Sequence, residues 1–319
     1  MSLTRRSALG RALCAMAALP LSARPAGADA PAAPRLLTAL PAAAALARAL
    51  LEGTGAEVVP VQPDRLPPSR LPSYLSGRGA DALAQRASQA DAVLSLRSLW
   101  PGDPLYPQAR RSNLHITEID MATPLDGALP GIARRSPARN DAVYRALDLT
   151  PMGALEVEMA PWLSPATLTH MAAIAAADLQ RLCPDAADRI ASNRDSLAAG
   201  LRDLRAGAEQ GLLAAPDLGC LTLTPAASYL AADLGLDLLA EIIAVPREWT
   251  PARAARLTGW LRGNAVAAVL TDKPAEGDLR AAIADAGARE ILLVPVAGSD
   301  ASPLPALRAS IDGIIAGFA

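Results

Sequence analysis

Apolar positions along this chain fall into two stretches of short alternating elements separated by a long helical one. Arg35 to Leu40 is an apolar run of strand type, Pro41 to Leu51 an alanine-rich helix closed by Gly53, and Glu57 to Val61 a second strand. That order is the beginning of a βαβ unit. The Pro-rich stretch Pro60 to Pro72 is predicted as loop and Asp81 to Gln89 as helix. Ala92 to Leu96 and Leu114 to Ile119 read as strands, with Pro101 to Pro107 turn-like between them. Between Met121 and Gly153 the periodicity dissolves into Pro, Gly and Arg, which fits an ordered surface excursion or a mobile loop.

The pattern then changes. Pro165 to Leu182 and Pro184 to about Leu212 consist almost wholly of good helix formers, each opening on a first-turn proline. In the second, Leu197, Leu201, Leu204 and Ala208 recur at helical spacing while Arg194, Asp195, Arg202, Asp203, Arg205 and Glu209 occupy other faces. Such a helix can run along the outside and join two lobes. Beyond Gly219 the alternation resumes. Cys220 to Thr224, Leu238 to Ile243, Ala265 to Thr271 and Ile291 to Val296 are strands; Ala226 to Leu234, Pro251 to Arg262, Gly277 to Asp285 and Leu304 to Ile315 are helices.

The fold class expected is therefore α/β, with two lobes that each carry a mostly parallel sheet and a long linker helix between them. The boundaries are 31–164 for the first lobe, 165–212 for the helical segment and 213–319 for the second lobe. No sequence repeat relates the lobes. Ligands of open α/β sheets collect beyond the carboxyl ends of strands, so Thr224 and Asp272 are expected at a cleft between lobes.

The first 30 residues change the compartment. Thr4-Arg5-Arg6-Ser7-Ala8-Leu9 precedes a short apolar run, Leu13 to Leu21, and small-residue cleavage options at Ala26-Gly27-Ala28 or Ala28-Asp29-Ala30. This is a twin-arginine-type export signal. The run is shorter than the roughly 20 residues of a membrane-spanning helix, and no later stretch is long and apolar enough. Cys14 sits inside the signal, and the apolar region follows it instead of preceding it, the wrong order for a lipoprotein box. A soluble, periplasmic, monomeric mature chain is expected, with no membrane insertion.

Composition narrows the function classes. The chain is 51% apolar with a single Phe, so its cores are built from Ala, Leu, Ile and Val. A net charge of -2 gives no basic face for nucleic acid. Cys183 and Cys220 are the cysteines beyond the signal; an oxidising compartment allows a disulfide, and free buried thiols are the alternative. The chain has no Gly-x-Ser-x-Gly, no Gly-x-x-x-x-Gly-Lys, no His-Glu-x-x-His and no Cys-x-x-Cys, which argues against the common enzyme chemistries.

Several segments, taken in order, resemble a known family. Glu158-Met159-Ala160-Pro161-Trp162-Leu163-Ser164-Pro165 ahead of an alanine-rich helix is similar to the Asn-Pro-His-x-Trp-Leu-Asp-Pro signature of periplasmic solute-binding proteins for zinc and manganese ABC importers. Thr224-Pro225-Ala226-Ala227-Ser228-Tyr229-Leu230 resembles that family's His-Asp-Ala-Phe-x-Tyr-Phe, and Leu234-Gly235-Leu236 follows it. Ala268-Val269-Leu270-Thr271-Asp272 looks like the apolar strand that ends in its acidic ligand. Upstream, Leu71-Pro72-Ser73-Tyr74 resembles the Pro-His-x-Tyr element and Ala90-Asp91-Ala92-Val93 the strand start after it. The resemblance implies two α/β lobes joined by a long helix, a metal held between them, and delivery to an inner-membrane permease.

It also exposes a departure. Carried over residue by residue, the three family ligands before the acidic one fall on Pro72, Ala160 and Thr224, and only the acidic ligand persists, as Asp272. A zinc site needs three or four N, S or O donors at about 2.0–2.3 Å, and proline and alanine side chains offer none. Only His115, in a predicted strand, and His170, on a predicted helix, are available as imidazoles. Glu156, Glu158 and Asp272 form a candidate oxygen cluster suited to harder cations such as manganese or calcium; Asp272 also fits a helix entry. Tyr74 and Tyr229 are expected to line the cleft, and Trp162 to fill its base.

The ligand this implies is a divalent metal, a metal chelate or another small molecule. Two further readings stand beside it. One is a non-binding relative acting as a partner or regulator at a metal permease, and the other is a periplasmic enzyme whose reaction the residues do not advertise.

Overall fold

Strands with a continuous apolar run need cover on both faces, and the sequence supplies helices to give it. The computed structural model describes residues 33–63, 66–136, 140–153 and 156–319; the segment expected to be an export signal lies outside the described residues. In chain order the elements of the first sheet and its helices are β1 (Arg35–Thr38), α1 (Pro41–Leu51), β2 (Glu57–Pro60), α2 (Leu71–Leu75), α3 (Ala80–Ala87), β3 (Ala92–Ser95), α4 (Leu105–Ala109) and β4 (Thr117–Asp120). After them come α5 (Asp141–Leu147), α6 (Pro165–Leu182) and α7 (Ala187–Leu212). The rest comprises β5 (Gly219–Thr222), α8 (Ala227–Asp233), β6 (Asp237–Glu241), α9 (Pro251–Gly263), β7 (Ala268–Thr271), α10 (Gly277–Ala286), β8 (Arg289–Leu292) and α11 (Leu304–Phe318).

Both sheets are four-stranded and parallel, with orders β2-β1-β3-β4 and β6-β5-β7-β8. The two lobes thus repeat one topology without repeating a sequence. Central strands β3, β5 and β7 are buried at every position, whereas edge strand β2 is half-buried and edge strand β8 largely exposed, as expected for sheets covered on both faces. Alternation along β5 and β7 feeds two cores. Cys220, Ala268 and Leu270 enter a large cluster that also holds Leu36, Leu94, Met171, Leu201 and Ile291. Leu221 and Val269 enter a smaller one with Ala254 and Leu257. The large cluster contains residues of both sheets.

Helix α6 begins where expected, because the Ser164 side chain accepts from Thr167 N and Pro165 occupies the first turn. Its partner α7 has 26 residues, about 39 Å of axis, and packs on α1 from one lobe and α11 from the other. Asn193 Nδ2 donates to the carbonyls of Leu50 and Glu52 at the end of α1, 2.9 Å each. At Gly211 a Cβ would come 2.8 Å from Ile315, so a glycine lets α11 lie close.

Two expectations need correction. His115 is in a turn before β4, not in a strand, since Asn113 caps that turn by accepting from His115 N at 3.0 Å. The stretch from Met121 to Gly153, expected to lack regular elements, contains α5. Asn140 Oδ1 caps it by accepting from Ala142 N and Val143 N, and Val143, Tyr144 and Leu147 are buried in the smaller core against α9. Tyr144 Oη accepts from Ile243 N at 2.8 Å. Seven residues, of which three are buried, are too short a pattern to stand out. This piece of the 31–164 stretch therefore joins the core beside the second sheet.

Candidate functional site

In each sheet the strand order reverses between two central strands, β1 and β3 in one and β5 and β7 in the other. Thr224 and Asp272 follow the carboxyl ends of β5 and β7, so both stand at the second sheet's switch point, where open sheets collect ligands. Their environments differ. Asp272 is exposed and its carboxylate meets no partner among the described residues. It enters no helix either, because α10 begins only at Gly277. Thr224 is 2% exposed and builds a turn. Its N–H donates to Thr222 Oγ1 at 3.2 Å, its carbonyl accepts from that hydroxyl at 2.8 Å, and its own Oγ1 accepts from Ala226 N ahead of α8 at 3.3 Å.

Ala160 is 5% exposed and left-handed, φ 45° and ψ 63°, a conformation costing an L-residue about 1–2 kcal/mol. It links the 3-10 turns Glu156–Met159 and Pro161–Leu163, the second of which packs on α8. Glu158 is half-buried on the first turn. Trp162 on the second is half-buried and packs against the large core. Pro72 is exposed in the first turn of α2, and Tyr74 is half-buried against the large core. Among the described residues no three His, Cys, Asp or Glu side chains group closely enough to hold a metal ion. None of Pro72, Ala160, Thr224, Asp272, Glu158, Tyr74 or Trp162 lines a described cavity, whereas Tyr229 does.

That cavity, about 340 Å³ and open to solvent, lies between the 132–135 segment, the first turns of α6 and the end of α8. The segment leaves β4, and Ile132 N donates to Ala122 O at 2.8 Å while Arg134 donates to Leu99 O at 2.8 Å. It then meets α8: Tyr229 donates to Ala133 O at 3.0 Å and accepts from Arg135 N at 3.2 Å. A strap so held ties the first lobe to α8. Burial pushes the Tyr229 phenol above its ordinary range, opposed by the Arg135 N–H, so the hydroxyl keeps the proton it donates.

The floor is organised by Asp233, a residue sequence reasoning missed. Its Oδ2 accepts from Ser164 Oγ and Ala166 N, both at 2.8 Å, and Oδ1 meets Arg205 Nε at 3.0 Å. One carboxylate thus joins α8 to the amino end of α6 and to α7, where its charge complements the helix dipole. The Ser164-Pro165 pair advertised a helix start, but nothing local advertised Asp233, 69 residues away.

A second cavity, about 370 Å³, opens at the carboxyl ends of β3 and β4, and its polar groups satisfy one another. Arg97 clasps Glu118 through two bonds of 2.8 and 2.6 Å, and Asp120 accepts from Ser98 N, Ser98 Oγ and Ala122 N. Burial raises Asp120 above the usual carboxylate range against the pull of these donors.

Comparison with known proteins decides the affiliation. The family model for zinc-uptake complex component A, periplasmic (ZnuA), matches residues 83–307, well over half of the chain. The chain belongs to the ZnuA family. Similar solved structures include an FpvC mutant from Pseudomonas aeruginosa, TM-score 0.68 and 20% identity over 89% of this chain and 98% of that one. The crystal structure of ZnuA gives 0.62 and 19% over 90% and 100%. A manganese-bound mutant of the periplasmic metal-binding protein from Candidatus Liberibacter asiaticus gives 0.62 and 14% over 90% and 100%. Identities this low show the two-lobed fold alone. Comparison with curated proteins returns no match. Membership of the ZnuA family makes the chain a periplasmic solute-binding component of a metal-type ABC importer rather than an enzyme. No described helix is long and apolar enough to cross a membrane.

Proposed function

We propose that this ZnuA-family protein is exported through its twin-arginine signal and delivers to an inner-membrane permease a ligand other than bare zinc, held beside the switch points of its two sheets. One observation carries this reading: among the described residues no three metal-type side chains converge, and the positions matching the family's ligands hold Pro72, Ala160 and Thr224 beside Asp272. Bare zinc requires three or four such donors; a metal already wrapped in a chelator does not. FpvC, which shares the fold, has been captured with Ni2+ and with Mn2+, which supports a metal-containing cargo. Asp272, exposed at the end of β7, and Glu158 are the carboxylates proposed to face such a cargo, with Tyr74, Trp162 and Tyr229 around it.

Calorimetry with zinc and manganese chlorides, beside elemental and mass-spectrometric analysis of protein purified from the periplasm, tests the proposal. The expected result is no sub-micromolar binding of either bare ion and a co-purifying metal–organic ligand. Sub-micromolar binding of bare zinc would overturn it. A ligand-free protein that co-purifies with a permease would instead favour a partner or regulator role.

A further inference from the structure

The cavity over Asp233 differs from the one beside β3 and β4 in how its charges are spent. Both oxygens of its only carboxylate are occupied, Oδ2 by Ser164 Oγ and Ala166 N and Oδ1 by Arg205 Nε. The negative charge is therefore compensated from within the fold. Two nitrogen-bearing side chains remain in the wall. Arg135 has no carboxylate partner among the described residues and sits 6.0 Å over the Tyr229 ring, which orients the guanidinium while leaving its donors open. His170, half-buried on α6, has no hydrogen-bond partner among the described residues. In the cavity beside β3 and β4 the arginine is already clasped by Glu118, so its charge is compensated by a carboxylate of the fold.

We infer that this cavity recognises a small oligocarboxylate anion, either free or as the organic shell of a metal chelate, through Arg135 and His170. A planar guanidinium suits a carboxylate in two-point contact, and about 340 Å³ lies within the range of small-molecule sites, roughly 300–1,000 Å³. A lone metal ion would leave most of that space unfilled. Because the walls come from the strap, α6 and α8, an anion held there touches parts of both lobes. The inference rests on the proposal that the cargo is not bare zinc, and adds the chemistry by which such a cargo is read.

The test is calorimetry on the full mature chain with sodium citrate and, separately, ferric citrate, using wild type, Arg135→Glu and His170→Ala. Arg135 is exposed, so R135E should keep the wild-type melting temperature. The expected result is saturable binding of at least one probe, weakened about tenfold or more by R135E, as for a lost charge-assisted contact, and less by H170A. Binding of ferric citrate alone would assign the chelate; equal binding of both would assign the free oligocarboxylate. Absence of binding by either probe up to about 10 mM, or equal affinity in wild type and R135E, would overturn the inference. A metal–organic ligand that co-purifies undiminished with R135E would overturn this site while leaving the functional proposal standing.

Discussion

Replacing Asp233 with alanine should cost the protein about 2–3 kcal/mol. The side chain of Asp233 is 5% exposed, so its charge is held out of water by donors from two helices. Loss of the carboxylate strands Ala166 N in the first turn of α6 and removes a helix-end charge, together about 1–2 kcal/mol. Ser164 Oγ retains the Thr167 N–H, so losing its bond to Asp233 adds about 1 kcal/mol. The Arg205 contact adds little. That side chain is 48% exposed and stands 3.4 Å from Glu209, so it rehydrates, and exposed pairs are worth under about 1 kcal/mol. Urea unfolding followed by circular dichroism measures the sum; with a slope near 3 kcal/mol per molar, the midpoint should fall by about 1 M. Asp233→Asn keeps one acceptor oxygen and should lose about half as much. A midpoint shift below about 0.2 M for D233A, with unchanged slope, would refute the reasoning that this carboxylate joins α8 to α6 and α7.

Tyr229→Phe removes the donor to Ala133 O and the acceptor for Arg135 N. It should cost about 1 kcal/mol and speed tryptic cleavage after Arg134 or Arg135 several-fold; an unchanged cleavage rate would mean the phenol does not hold the strap. Glu241 is buried, its carboxyl pushed above the usual range by desolvation and held back by the Ser228 hydroxyl at 2.9 Å. A raised folded value means its contribution is full below the ordinary carboxylate range and fades as pH climbs through the folded value. Glu241→Gln should therefore flatten that decline in a melting-temperature profile, and a profile of wild-type shape would count against it. Cys183 and Cys220 are free and buried, the latter thiol pushed up to about 12 by burial. Both should resist Ellman's reagent in the native mature chain and react only in denaturant; rapid native labelling, or a disulfide in the purified protein, would contradict this.

The sequence was legible where an element's own neighbours explain it. Helices α1 and α6 begin at the prolines that announce them, Pro41 and Pro165. Strands β3, β5 and β7 show the unbroken apolar runs of sheets covered on both faces. It was not legible where stability comes from partners far away in sequence. Helix α5 is short, and its burial depends on α9, more than a hundred residues later. Asp233 lies in an ordinary helical pattern, and Arg135 in a segment without periodicity. Neither position signals that strap, α6 and α8 meet.

The same distinction bears on the positions that match the family's ligands by resemblance. Pro72 sits in the first turn of α2, where a missing N–H is tolerated, and the hydroxyl of Thr224 helps form the turn into α8. These two side chains serve local structure, and Ala160 has only a methyl group to present. The proposed reading therefore draws on polar groups the fold does not already employ. Asp272, exposed at the second sheet's switch point, is one; Arg135 and His170, facing the cavity beneath the strap, are others. A carboxylate and two nitrogen-bearing groups set on different elements suit a ligand carrying both a metal centre and anionic arms better than they suit a naked ion.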